Sequence, residues 1–174
     1  MKIYVASSWR NVDQPPLVQA LRERGHEVYD FRNPRPGDTG FNWGEIDPAW
    51  RDWTAEQYRD ALEHPIAEAG FRSDMDALDW CDVCVLLLPC GRSAHLEAGY
   101  CAGKNKLMFV LTRDGEEPEL MVKMGLVLIT QQELFDDLEL YDEQDRRYEQ
   151  ERENERRCSV PGSIGSDHGG GPEN

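Results

Sequence analysis

The chain has 174 residues, a length that suits one domain with a single core and a tail. Its 34 acidic residues against 19 basic ones give a formal net charge of −15, which opposes an extended phosphate backbone and argues against a nucleic-acid partner. No apolar stretch approaches a membrane span, and Met1-Lys2-Ile3-Tyr4 enters a strand without a charged-then-apolar leader, so we expect a soluble cytoplasmic protein with no membrane partner.

In chain order, residues 2–6 read as a short strand, and 12–24 carry Leu17, Val18 and Leu21 at helical spacing until Gly25 stops them. Residues 27–31 supply a second strand, so the chain opens β-α-β. Segment 32–53 breaks the pattern with prolines and glycines yet holds Phe41, Trp43, Trp50 and Trp53, the composition of a functional lid. Thr54 caps a predicted helix through Leu62, and 71–80 forms another. Residues 83–88 are apolar throughout, as in a strand buried on both faces. Cys90-Gly91-Arg92-Ser93 is then a turn, with Ser93 the expected cap of a helix over 94–102. A strand at 107–112, a short helix at 118–124, a strand at 126–129 and an amphipathic helix at 131–138 complete the pattern. This alternation predicts an α/β fold: a five-stranded parallel sheet, Rossmann-like or flavodoxin-like, in the order 2-1-3-4-5 with helices on both faces.

The domain is expected to span 1–140. From 141 the composition turns to Asp, Glu, Arg and Gln, then to Ser, Gly and Pro, with too few apolar residues to offset ordering entropy. Residues 141–157 suit a charged helix, and the end of the tail is expected to be disordered. The five cysteines (Cys81, Cys84, Cys90, Cys101, Cys158) have no disulfide-framework spacing, which points to reduced thiols. Cys81 and Cys84 have CxxC spacing, but on a strand positions three apart face opposite sides, so no metal site is expected. His26, His64, His95 and His168 form no ligand spacing either, and no cofactor is expected.

Within this pattern Glu97 stands out. A helix starting at 94 puts it in the first turn, near the crevice outside the carboxyl end of the 83–88 strand, where open α/β sheets bind ligands. The helix dipole and Arg92 are both expected to favour its ionised form, the form a glycosyl-transfer nucleophile needs. A purely structural reading, in which Glu97 only complements the helix terminus, stands beside this one. A capping box is excluded, because the residue three after Ser93 is Leu96.

Three segments in order and spacing, KIYVASSWRN, SDMDALDWCDV and HLEAGYCAGKNK, resemble the nucleoside 2-deoxyribosyltransferase superfamily, which includes nucleoside 5′-monophosphate N-glycosidases. The resemblance spans about residues 2–135, and its most specific element is Glu97, Gly99 and Tyr100 followed by Gly103-Lys104. It implies that Glu97 is a nucleophile attacking the anomeric carbon, with a covalent glycosyl-enzyme resolved by water or by a second base. It implies further that Asp74 lies at the sugar or protonates the leaving base, its pKa raised by a neighbouring anionic Glu, and that Tyr4 orients the nucleophile. Asp74 also fits a solvated helix face with Asp76 and Asp79, and a strand Tyr is commonly just packed.

By the same resemblance the turn 6–11 surrounds a 5′-phosphate, with Ser7, Ser8 and Arg10 as ligands and Arg92 and Ser93 on the far side. Ser8 or Asn11 can equally cap the following helix. Gly91 replaces the Asp of transferases or the Ser of monophosphate hydrolases at the sugar, and Arg92 favours an anionic substrate. Phe31, Arg32, Asn33, Phe41 and Trp43 are the candidates for holding a base, or else they anchor the loop. Segment 119–124 resembles a part that relatives offer to a neighbouring subunit, which implies a homodimer or larger homo-oligomer. The expected activity is cleavage of the N-glycosidic bond of a (deoxy)nucleoside or nucleoside 5′-monophosphate, by hydrolysis or base exchange. The alternatives are an NAD-type glycohydrolase and a non-catalytic nucleotide-binding module.

Overall fold

The computed structural model describes residues 1–158, with side chains through 156. Five strands, β1 (Lys2–Ala6), β2 (Glu27–Tyr29), β3 (Val83–Leu87), β4 (Leu107–Leu111) and β5 (Leu126–Leu128), pair in parallel in the order β2-β1-β3-β4-β5. Five helices accompany them: α1 (Gln14–Glu23), α2 (Ala55–Leu62), α3 (Pro65–Trp80), α4 (Arg92–Gly103) and α5 (Gln131–Cys158). The α/β class and the strand order are those the sequence predicts.

The boundaries shift for local reasons. Asn11 Oδ1 accepts from the Asp13 amide at 3.0 Å and prolines occupy the first turn of α1, so this helix begins two residues later than its apolar spacing suggests. It ends at Gly25, whose φ of +86° only glycine adopts without strain. Thr54 and Gln57 form a capping box on α2. Helix α3 starts at Pro65, six residues before the predicted 71, with His64 Nδ1 accepting from the Ile66 amide at 3.2 Å. Its C-terminus is closed by Lys106, whose ammonium donates to the carbonyls of Leu78, Asp79 and Cys81 at 2.7, 2.7 and 2.6 Å. A cation on terminal carbonyls both fills their acceptor sites and opposes the negative helix end. The predicted short helix at 118–124 is a 3-10 turn, Leu120–Met124.

The side chains of β1, β3 and β4 alternate between two layers. Tyr4, Ala6, Cys84, Leu86, Met108 and Val110 pack with Ala77, Leu78 and Cys81 of the α3 end and with Ala94, Ala98 and Cys101 of α4. Cys81 is thus the C-cap of α3 rather than part of a strand, and it shares one core with Cys84, contrary to the expected opposite facing; its Sγ lies 3.9 Å from that of Cys101. The intervening residues, Ile3, Val5, Val83, Val85 and Phe109, are fully buried toward the other layer, where α1 contributes Leu17, Val18 and Leu21.

The chain divides at 136/137. The first unit contains the whole sheet and the start of α5, whose Phe135 ring lies under the Arg24 guanidinium at 3.5 Å. The second begins with the remainder of α5, a charged helix with Asp142–Arg146 and Glu143–Arg147 pairs one turn apart. The disorder expected at the end of the tail falls on residues 159–174, outside the described residues. Among the described residues no helix is long and apolar enough to cross a membrane.

Candidate active site

Tyr4 and Tyr29 are register partners on adjacent parallel strands, so they point to the same side of the sheet. Their rings stack with centroids 5.2 Å apart and planes 17° from parallel, and Tyr4 is 0% exposed. Helix α3 crosses this side and brings Ser73 and Asp74, both half-buried, to the outer Tyr. The Tyr29 hydroxyl donates to Asp74 Oδ1 at 2.8 Å and lies 3.1 Å from Ser73 Oγ. One phenol carries one proton, so Ser73 is the donor to Tyr29.

Glu97 arrives from α4. Ala94, Ala98 and Cys101 form the buried stripe of that helix, and Glu97, three after Ala94 and four before Cys101, lies on its flank, half-buried. The helix starts at Arg92 with Gly91 as N-cap and no capping side chain, so Ser93 does not cap it and Glu97 falls in the second turn. The dipole fades within the first turn, and Arg92 is exposed, so neither stabilises the anion as expected. Burial instead pushes Glu97 up to about 7, the charge of Asp74 adds to this, and the Tyr4 hydroxyl opposes it. Asp74 is also raised, as predicted, but mainly by burial rather than by like charge, and the Tyr29 hydrogen bond holds it back. Both phenols are raised by burial, Tyr4 further by the charges of Glu97 and Asp74, so both remain proton donors. Tyr4 Oη is a buried oxygen that closes no hydrogen bond, so its influence on Glu97 is exerted at longer range. Two carboxyls and two phenols from four elements therefore form one electrostatically coupled group beside the buried sheet.

The predicted phosphate ligands are placed differently. Ser7 Oγ donates to the Leu87 carbonyl at 2.9 Å and accepts from Asn11 Nδ2 at 3.0 Å, which leaves its proton committed to the fold. Ser8 Oγ accepts from the Arg10 amide at 3.1 Å. Arg10, Gly91, Arg92 and Ser93 are exposed. Asn11, 3% exposed, also donates to the Pro89 carbonyl at 3.1 Å and so stitches the turn after β1 to the turn before α4. Sequence reasoning had Asn11 only as a possible cap, and no spacing signal marks a side chain that bridges residues 78 apart.

The base-side candidates are likewise structural in large part. Arg32 Nη2 donates to the carbonyls of Ser8, Trp9 and Asn11 at 3.0, 3.0 and 2.8 Å, and Asn33 donates to Asp30 Oδ2 at 3.1 Å. Phe31 packs edge-on against Trp9. Phe41 packs against Trp43 and sits over Gly70 of α3, where an added Cβ would come within 2.9 Å of its own. The long loop is thereby docked by its aromatics, with a cleft of about 310 Å³ between Trp43, Trp50, Trp53 and Tyr58. A larger open cleft of about 560 Å³ runs beside β2 and α3, with Tyr29, Ser73, Asn33 and Trp80 in its walls. Glu97 and Asp74 do not line it. Tyr100 and Lys104 of the Glu97 motif both engage Asp79, Tyr100 Oη at 2.6 Å and Lys104 Nζ at 3.9 Å, which ties α4 to α3. Among the described residues no group of three or more His, Cys, Asp or Glu is placed to hold a metal ion.

No family model and no curated protein matches the chain. Solved structures do. One is a 2-deoxyribosyltransferase from the psychrotolerant bacterium Bacillus psychrosaccharolyticus, with 20% identity, 77% of this chain and 90% of that chain covered, and a TM-score of 0.49. Another is the CMP N-glycosidase BcmB of Clostridium botulinum, with 15% identity, 80% and 99% covered, and a TM-score of 0.46. A third is a conserved protein from Enterococcus faecalis V583, with 14% identity, 81% and 98% covered, and a TM-score of 0.54. At these identities the likeness is one of fold, and the third structure carries it.

Proposed function

We propose that the protein cleaves the N-glycosidic bond of a (deoxy)nucleoside or nucleoside 5′-monophosphate through a covalent glycosyl-Glu97 intermediate. The observation that carries this reading is the meeting of Glu97, Asp74 and Tyr4, from three separate elements, in one mutually interacting group whose phenol is buried and whose carboxyls are half-buried. In the first step a Glu97 oxygen bonds to C1′ as the C1′–N bond breaks, and the electron pair leaves with the base. Asp74 gives its proton to that base. In the second step water or an acceptor base attacks C1′, the ester to Glu97 breaks, and the incoming group's proton returns to Asp74. Tyr4, held neutral, offers its hydroxyl to the nucleophile and steadies its anion. The reactive form is the one in which the proton of the pair is on Asp74 and the charge on Glu97, which titrates at about 7.

A 5′-phosphate fits the amides of the first turn of α4 together with Arg92, Ser93, Arg10 and Ser8; Ser7 and Arg32 support the turn from behind. The 3-10 turn after Glu119 adds a homodimer to the proposal, because Leu120, Met121 and Met124 are 81%, 64% and 50% exposed rather than packed as core. Sedimentation of the wild type and of Leu120→Glu tests this: a dimer that the variant splits supports it, and a wild-type monomer overturns it.

The activity is tested by incubating the purified protein with nucleosides, nucleoside monophosphates and NAD, with and without an acceptor base. We expect free base from at least one nucleoside or mononucleotide and none with Glu97→Gln. Base released from NAD alone would select the glycohydrolase reading instead. Nucleotide binding without any product would select the non-catalytic one.

A further inference from the structure

Tyr29 is absent from the sequence-derived candidates, yet its hydroxyl makes the one closed side-chain hydrogen bond that either acid accepts among the described residues. Its ring is fixed by the stack on Tyr4 and by its place on β2, and its oxygen is fixed by Ser73. The bond is therefore made by a rigid donor whose only proton points at Asp74 Oδ1.

The other groups acting on the pair are all neutral or anionic. Tyr4 of β1 interacts with both acids, and Cys84 of β3, its register partner, stands beside it on the same face. Glu97 bears on the Cys90 thiol, which burial and the charges of Glu97 and Glu116 raise to about 11, and Asp38 of the long loop bears on Tyr29. Among the described residues no cation contributes to the shift of either carboxyl, so beside burial it is the hydrogen-bond donors that bias how the two share a proton.

We propose that Tyr29 is a positioning residue that sets which of Asp74 and Glu97 carries the proton of the pair, and on which oxygen. This rests on reading Asp74 as the acid and Glu97 as the nucleophile. Because Oδ1 is occupied as an acceptor, neutral Asp74 carries its proton on Oδ2, so one face of the acid is reserved for the leaving base. The same bond stabilises the Asp74 anion and keeps its proton labile enough to be given up. Without it Asp74 holds its proton to higher pH, its charge ceases to bear on Glu97, and Glu97 ionises earlier. Tyr29 thus trades a more readily ionised nucleophile for a stronger acid.

The test is a site-resolved ¹³C-carboxyl NMR titration of the full chain as wild type, Tyr29→Phe and Ser73→Ala. Tyr29→Phe keeps the ring stack and removes one oxygen. We expect the Asp74 midpoint to rise by about one pH unit, while the Glu97 midpoint moves in the opposite direction. Ser73→Ala, which weakens the donor chain by one link, should give smaller shifts of the same signs. Turnover of Tyr29→Phe should fall about tenfold with KM unchanged. Midpoints that stay put, or that both move the same way as a loosened site would make them, overturn the proposal. Should base release by the wild type be lost in Glu97→Gln while Tyr29→Phe leaves both midpoints unmoved, the role of Tyr29 falls and the glycosidic reading stands. Opposite shifts in a protein that releases no base from any substrate leave the role of Tyr29 standing and remove the reading.

Discussion

The acid group and the turns beside it are built on opposite principles. Tyr4, Tyr29, Asp74 and Glu97 stand on strands and helices, and burial shifts all four titrations in the same direction. After β1 and β2 and at the start of α4 the groups split into those bound to backbone, Ser7, Asn11 and Arg32, and those left to solvent, Arg10, Arg92 and Ser93. On the proposed reading the acids are set in place by the fold before any ligand arrives, whereas the anion site is completed by the ligand itself. Rigid elements suit groups that must meet within fractions of an ångström, and exposed guanidinium groups suit a ligand that must enter and leave.

Substitutions in the two regions should therefore fail in different ways. The largest effect is expected at the nucleophile: Glu97→Gln should lower kcat by at least about a thousandfold while nucleotide binding, followed by calorimetry, persists. Asp74→Asn should cost about a hundredfold in kcat, and less for substrates whose leaving group needs no proton. Because the reactive pair carries a single proton, on Asp74, and Glu97 titrates at about 7 against an already charged Asp74, kcat/KM should be bell-shaped with its alkaline half-maximum near 7, falling about tenfold per unit above it. An alkaline limb in the ordinary carboxylate range would place Glu97 in water instead. In the turns, Arg92→Ala should raise KM for a monophosphate about tenfold and leave the matching nucleoside unchanged. Equal effects on both substrates would break the distinction between the regions. Asn11→Ala should act through stability, lowering the unfolding free energy by about 1–3 kcal/mol, since it strands the Pro89 carbonyl and uncouples the two turns.

Glu97 carries its own stability signature. Its pKa is higher in the fold than the ordinary 4.5, so the folded chain holds the proton more tightly and unfolding free energy falls as pH rises from about 4.5 to 7. The span corresponds to about 3 kcal/mol, and chemical denaturation of Glu97→Gln should show that slope flattened.

Periodicity made the sheet legible: β3 is apolar at every position because both faces are covered, and α1 shows its buried stripe directly. The boundaries that moved were set by local side-chain bonds that apolar spacing does not show, Asn11 delaying the start of α1 and His64 with Pro65 opening α3 six residues early. Glu97, Asp74 and Tyr4 were legible as candidates because motif spacing carries them, and the structure brings these three together. Tyr29 was not, since a tyrosine on a short edge strand looks like packing until the helix that covers it is in place. The charge state of Glu97 was misjudged for a related reason: helix position can be read along a chain, but desolvation depends on what the rest of the fold lays over the site.

The central claim is most directly tested by trapping the intermediate. A nucleoside with a 2′-fluoro sugar slows the second displacement, because the electron-withdrawing group destabilises positive charge at C1′. After incubation and acid quench, peptide mass spectrometry should find the sugar's mass on the fragment containing Glu97, with one equivalent of base released. Base release with no adduct, or an adduct on any other residue, would contradict it.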